Sequence, residues 1–108
     1  MKKLSTEQEL ESVFAEETAI LYKHSTRCPI SANAHQDLEG FLVTNPDAPL
    51  YLVDVHASAD LSERIVEKTG IEHQSPQVIL LRNGTPAWTK ARMEISAEEL
   101  SEQLRATA

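Results

Sequence analysis

The hydrophobic positions of this chain repeat with two periods in turn, one suited to helices and the other to buried strands. Thr6-Glu7-Gln8-Glu9 has the form of a capping box, and Leu10, Val13 and Phe14 follow it on one helical face. Ala19-Ile20-Leu21-Tyr22 is a short apolar run, as expected of a strand covered on both faces. After Cys28-Pro29, Ile30, Ala34, Leu38, Phe41 and Leu42 recur at helical spacing until Asn45-Pro46-Asp47 breaks the pattern. The run from Leu50 to Val55 predicts a second buried strand. Asp60-Leu61-Ser62-Glu63 predicts the capped start of a third helix, with Leu61, Ile65 and Val66 inward and Gly70 at its end. Val78-Ile79-Leu80-Leu81 and the segment from Thr85 to Ala91 flank Asn83-Gly84, a two-residue hairpin signal. Pro86 has no amide proton to give a ladder, so the last strand is expected at a sheet edge. Ser96-Ala97-Glu98-Glu99 predicts another capping box, opening a helix with Leu100 and Leu104 inward.

The predicted order is α-β-α-β-α-β-β-α. Right-handed crossovers make the first two strands parallel, and the hairpin adds an antiparallel pair. The expected fold class is therefore α/β: one domain over residues 1–108, with a four-stranded mixed sheet flanked by helices. This plan resembles a thioredoxin or glutaredoxin core. A generic α/β sandwich shares the order, so the motifs must decide.

Composition narrows the function. The 108 residues, 41% hydrophobic and 25% charged, suit one ordinary globular domain. No apolar run approaches the ~20 residues of a membrane span. No apolar stretch follows Lys2 and Lys3, so a signal peptide is not expected and a cytoplasmic location is. A net charge of −7 opposes nucleic-acid binding, and glycines only at 40, 70 and 84 leave no phosphate loop. The single cysteine excludes an internal disulfide and suits a reducing compartment.

Cys28 falls where the first strand hands over to the second helix. Proline favours the first helical position and pushes the residue before it out of the α region, so Cys28 reads as the cap and Pro29 as the first helical residue. A sulfur there faces unpaired amides and the positive end of the helix dipole, which favour the nucleophilic thiolate. No Asp or Glu occurs from Thr18 to Gln36, whereas Lys23, His24, Arg27 and His35 all do. Arg27 is a candidate to stabilise the thiolate or hold an acidic substrate. Ser31, three residues on, stands where a two-cysteine oxidoreductase has its resolving thiol; its hydroxyl can donate to the sulfur but cannot form a disulfide. The competing reading of Cys28 is a buried core cysteine. Ser75-Pro76 precedes the third predicted strand, where thioredoxin folds place a cis-proline, and its loop is expected to present backbone to an extended substrate.

Lys23-His24-Ser25-Thr26-Arg27-Cys28-Pro29-Ile30-Ser31 and His73-Gln74-Ser75-Pro76-Gln77 resemble the two signature segments of the monothiol bacilliredoxins, the YtxJ-like proteins of the bacillithiol system. The resemblance covers nearly the whole chain. It implies a thioredoxin-like fold and removal of bacillithiol from S-thiolated cytosolic proteins. Cys28 is then the nucleophile, beside Pro29 and the non-resolving Ser31, while Thr26, Arg27, His73, Ser75 and Pro76 contact substrate. Bacillithiol is implied as thiol co-substrate with no tightly bound cofactor, and a monomer is expected. Arg27 replaces the small hydroxyl residue of the family pattern, and its guanidinium suits the malate carboxylates of bacillithiol. Tyr22 stands where thioredoxins carry a buried acid, so proton handling is expected to differ.

The histidines His24, His35, His56 and His73 match no compact metal-ligand spacing. His73 is a candidate to orient the proline loop, and His24 to border the thiol. Asp54, inside an apolar strand, is expected to cap a turn at the strand end, the alternative being to act on a proton at the sheet's carboxyl edge; Trp88 is expected to pack in the core, the alternative being a partner contact. Two functions compete with the oxidoreductase: an iron–sulfur carrier bridging two chains through one cysteine each, and a binding module in which Cys28 is incidental.

Overall fold

The computed structural model describes residues 1–106. In chain order it contains β1 (Lys2–Lys3), α1 (Glu7–Phe14), β2 (Thr18–His24), α2 (Pro29–Thr44), β3 (Leu50–Asp54), α3 (Ala59–Thr69), β4 (Gln77–Arg82), β5 (Thr85–Ala91), a 3-10 turn (Arg92–Glu94) and α4 (Ala97–Arg105). Its one sheet runs β1-β3-β2-β4-β5. β3 is parallel to both neighbours, and the β4–β5 hairpin is antiparallel to β2 through β4.

The sheet has one strand more than the four predicted. β1 pairs Lys2 with Tyr51 and Lys3 with Leu52, and the next amide, Leu4 N–H, donates to the Leu52 carbonyl at 2.8 Å. Two exposed lysines carry no strand period; the pairing with β3 and the burial of Leu4 fix them. β5 is the opposite edge, and Pro86 lies there beside a register shift between Leu80 and Leu81, where its missing amide is tolerated.

Alternate residues of β2 feed two apolar layers, as a strand's period of two requires. Ile20 and Tyr22 join Leu38, Phe41, Leu80 and Leu100 on the α2/α4 side. Ala19 and Leu21 join Leu10, Val13, Leu61 and Ile65 on the α1/α3 side. Phe41 is fully buried, so its truncation to Ala would cost about 3–5 kcal/mol. Those contacts hold α2 against the sheet with its first turn at the carboxyl end of β2.

The caps differ in detail from expectation. Thr6 and Glu9 complete their box. Ser96 accepts from the Glu99 amide, but the Glu99 carboxylate instead accepts from Trp88 Nε1 at 3.0 Å, so the second box is half formed. That bond and its apolar contacts seat Trp88 against the core. α3 begins at Ala59 after Ser58 rather than being capped by Asp60, which lies in the first turn where the helix dipole favours an acid. Asn83 and Gly84, at φ +52° and +76°, form the hairpin turn, and a Cβ on Gly84 would meet the Phe14 carbonyl oxygen at 2.8 Å. Among the described residues no helix is long and apolar enough to cross a membrane.

Candidate active site

Cys28 is the N-cap of α2, in extended backbone, and Pro29 is the first helical residue. α2 has no acid in its first turn. The thiol is partly exposed and makes no cap bond of the kind Thr6 and Ser96 make. The surrounding donors nonetheless hold its pKa below the ordinary thiol range. The Ser31 backbone N–H contributes most, against a smaller opposing effect of desolvation; the Ile30 N–H, the Ser31 hydroxyl and the positive charge of Arg92 add to it. This is the environment of a reactive cysteine rather than an inert core one.

Ser31 is fully buried, and its hydroxyl also accepts from the Ser25 N–H at 3.3 Å. The loop between β2 and α2 is tied down through Ser25, whose hydroxyl accepts from the Arg27 N–H at 3.2 Å and shares a 2.8 Å bond with His56 Nε2. Thr26 and Arg27 project at the exposed tip of that loop. Asp54 caps the neighbouring turn, one carboxylate oxygen accepting from the amides of His56 at 2.9 Å and Ala57 at 3.0 Å, and these bonds hold its pKa below the ordinary carboxylate range.

Beneath α2, the Tyr22 hydroxyl donates to the Ser31 carbonyl at 3.1 Å and lies 2.6 Å from His24 Nδ1. A phenol has one proton, so while it donates to Ser31 the imidazole must donate its Nδ1–H to the phenolic oxygen. The His24 and His35 rings lie 5.0 Å apart. Burial first, and repulsion by the thiolate second, push the Tyr22 pKa well up, so the phenol stays protonated under the sulfur. His24 is held toward its neutral form, chiefly by burial and then by His35.

The Ser75–Pro76 peptide bond is cis. Pro76 is buried and Ser75 half-buried, with the Ser75 hydroxyl oxygen buried and without a partner. His73 stands at the start of this loop, its Nδ1 3.1 Å from Lys23 Nζ and 3.3 Å from Ser62 Oγ. Lys23 therefore departs from the electropositive patch that the sequence suggested around the thiol. The two-residue period of β2 turns it to the opposite face, where it is fully buried and its pKa is pushed down to about 8 by desolvation. Among the described residues no three His, Cys, Asp or Glu side chains converge as metal ligands.

Sequence reading missed Arg92. It follows β5, its Nη1 donates to the Ser75 carbonyl at 3.0 Å, and its backbone N–H donates to the Pro76 carbonyl at 2.8 Å. The pairing of Ala91 with Gln77 brings residues 92 and 76 together, and no local pattern announces it.

The family model described as monothiol bacilliredoxin BrxC matches residues 2–100. The chain belongs to that family. A solved structure described as having a thioredoxin fold is 33% identical, with a TM-score of 0.89 and coverage of 96% of this chain and 93% of that one. More distant likenesses show the fold alone: mitochondrial thioredoxin 3 from Saccharomyces cerevisiae (15% identity, TM-score 0.77, 99% and 95% covered) and thioredoxin from Trypanosoma brucei brucei (13%, 0.79, 95% and 86%). The bacilliredoxin thus has the thioredoxin-like α/β fold, and its chemistry is thiol redox chemistry.

Proposed function

We propose that the protein is a monothiol thiol–disulfide oxidoreductase that removes a low-molecular-weight thiol, bacillithiol, from mixed disulfides on cytoplasmic proteins. The observation that carries this reading is a sulfur favoured as thiolate by the amides of α2, with a buried serine at the position of a second thiol and a cis-proline loop beside it. The Cys28 thiolate attacks the small-thiol sulfur of the mixed disulfide. That S–S bond breaks, the protein sulfur leaves with the electron pair and takes a proton from solvent, and Cys28 keeps the small thiol as a new disulfide. Ser31 has no sulfur with which to displace it. A second small-thiol molecule, as thiolate, attacks the adduct, forms the symmetrical small-thiol disulfide and returns Cys28 to its thiolate.

Substrate contact is assigned to Thr26, Arg27, Ser75 and Pro76, and to His73 at the far end of the proline loop, where it is tied to Lys23 and Ser62; no tightly bound cofactor enters the cycle. The test is intact-mass analysis after mixing the protein with a bacillithiolated target. The expected result is loss of the adduct from the target and a bacillithiol mass increment on Cys28. A target that keeps its adduct, with Cys28 unmodified, defeats the reading.

A further inference from the structure

Arg92 opens the 3-10 turn after β5 with φ at +57°, a left-handed conformation that glycine adopts freely and a long side chain does not. A strained backbone under a charged side chain at the edge of a reactive site points to a task for that side chain. One task is visible: Nη1 donates to the Ser75 carbonyl, the group that an extended substrate pairing with this loop would use. A guanidinium offers five N–H donors, and among the described residues no carboxylate lies within salt-bridge distance of Arg92.

The guanidinium also borders a groove of about 280 Å³ between α2 and the 92–95 segment. Ile30, Ala34 and Ile95 give it an apolar floor, and Met93, 85% exposed, stands over its edge. Asn33 and Asp37 of α2 supply its other polar groups. That volume suits a small molecule rather than a protein segment. The groove thus has one cation at its thiol end, an acid on α2 and apolar walls between. This polarity matches a cysteine-derived thiol that carries both a carboxylate and an ammonium group, and Asp37 disfavours a polyanion such as a phosphate ester.

We propose that this groove is the small-thiol subsite and that Arg92 selects the thiol by pairing with its carboxylate. The inference rests on the monothiol reading above and adds the residue that sets specificity. An incoming target segment takes the Ser75 carbonyl and displaces the guanidinium, which turns to the carboxylate of the thiol that the same target carries. A protein disulfide without an anionic thiol offers Arg92 nothing in exchange. Arg92 is thereby a binding residue of the exchange as well as one source of thiolate stabilisation.

The test uses one peptide carrying 3-mercaptopropionate, 2-mercaptoethanol or cysteamine in mixed disulfide, with each rate divided by that of free 2-mercaptoethanol on the same disulfide. The native protein is expected to favour the 3-mercaptopropionate disulfide over the neutral one by about 10–100-fold in kcat/KM, the range for a charge-assisted pair, and to disfavour cysteamine, whose ammonium meets Arg92. Arg92→Gly, which fits the left-handed backbone, and Arg92→Gln should both bring the anionic-to-neutral ratio to within about threefold, and Arg92→Lys should leave it intermediate, because an ammonium lacks the fork. Asp37→Asn should raise the ratio. A native ratio near one, or a ratio that survives in both the Gly and Gln variants, overturns the subsite while turnover of the neutral disulfide keeps the monothiol reading. No turnover of any of the three by the native protein overturns both.

Discussion

Neighbouring residues of β2 send polar side chains to opposite faces of the sheet, and the two faces use them differently. Tyr22 points to the α2 side, where its hydroxyl meets the Ser31 carbonyl and His24 below the thiol. Lys23 points to the α1/α3 side, where its hydrogen bond goes to His73. Both are fully buried, and burial drives both toward the neutral form, the phenol pKa upward and the ammonium down to about 8. For the phenol, neutral is already the form present at pH 7, so burial costs little charge and leaves a hydroxyl under the sulfur. For Lys23, pH 7 lies below the shifted value, so the folded protein keeps a charge in an apolar layer. What that cost supports is a tie from the sheet to the loop of His73 to Pro76. One face serves the sulfur; the other holds the loop that frames it.

The largest test of this division compares the sulfur with the lysine. Cys28→Ser should lower exchange by more than about a thousandfold, since a hydroxyl neither ionises near neutral pH nor forms a disulfide, while stability stays within about 0.5 kcal/mol. Lys23→Met should keep exchange within about tenfold of native, measured on the same mixed disulfide. If it abolishes exchange as Cys28→Ser does, the lysine face is part of the chemistry and the division fails.

Next in size is the stability effect of the lysine. Its folded pKa is about 8 against 10.5 for an ordinary lysine, so below pH 8 both states hold the proton and the folded state bears the full cost of the buried charge. Between about 8 and 10.5 the unfolded chain binds more protons than the folded one, so stability rises with pH through that window and levels off above it. Lys23→Met should raise stability by about 1–3 kcal/mol at pH 7, allowing for the lost bond to His73, and should flatten the rise between 8 and 10.5. Urea unfolding at several pH values measures both. An unchanged pH profile would show that Lys23 titrates normally in the fold.

How much of this could be read from residue order depends on the range of the interaction. The N-cap position of Cys28, Pro29 at the first helical position and the Asn83-Gly84 turn are set within a few residues, and each is where the pattern put it. Asp54 capping its own turn is equally local. Arg92 depends on the β4–β5 register and on a backbone conformation unusual for arginine, so nothing near it in sequence marks it. Lys23 counted as positive charge near the thiol by proximity along the chain, whereas strand alternation sends it to the other layer. β1 escaped because two residues cannot show a period.

A smaller effect is expected on the phenol side. Tyr22→Phe removes a buried hydroxyl, leaves the His24 Nδ1–H unpaired and takes from the Ser31 carbonyl the bond it accepts beyond its helical one, for a loss of about 1–2 kcal/mol. The His24 tautomer, now set by the phenolic oxygen, should become a mixture on nitrogen NMR. Retention of a pure Nδ1–H tautomer would mean that another group orients the ring.

The smallest effect expected is that of the Ser31 hydroxyl, and it separates local backbone from side chain within the sulfur's own surroundings. The donor that stabilises the thiolate most is the Ser31 backbone N–H, which any residue at this position supplies; the hydroxyl ranks below both amides. Ser31→Ala should therefore raise the Cys28 pKa yet leave it below the ~8.5 of free cysteine, as thiolate absorbance would report. Exchange should slow by less than about tenfold, because a less populated thiolate is also a better nucleophile and the two changes partly offset each other. The Ser25 N–H loses its 3.3 Å acceptor at the same time, so some of the slowing will come from a looser β2–α2 loop. Ser31→Thr, which restores a hydroxyl, should recover the pKa but not all of the rate. A Ser31→Ala thiol that titrates at or above the free value would mean that the hydroxyl, and not the first turn of α2, governs the sulfur.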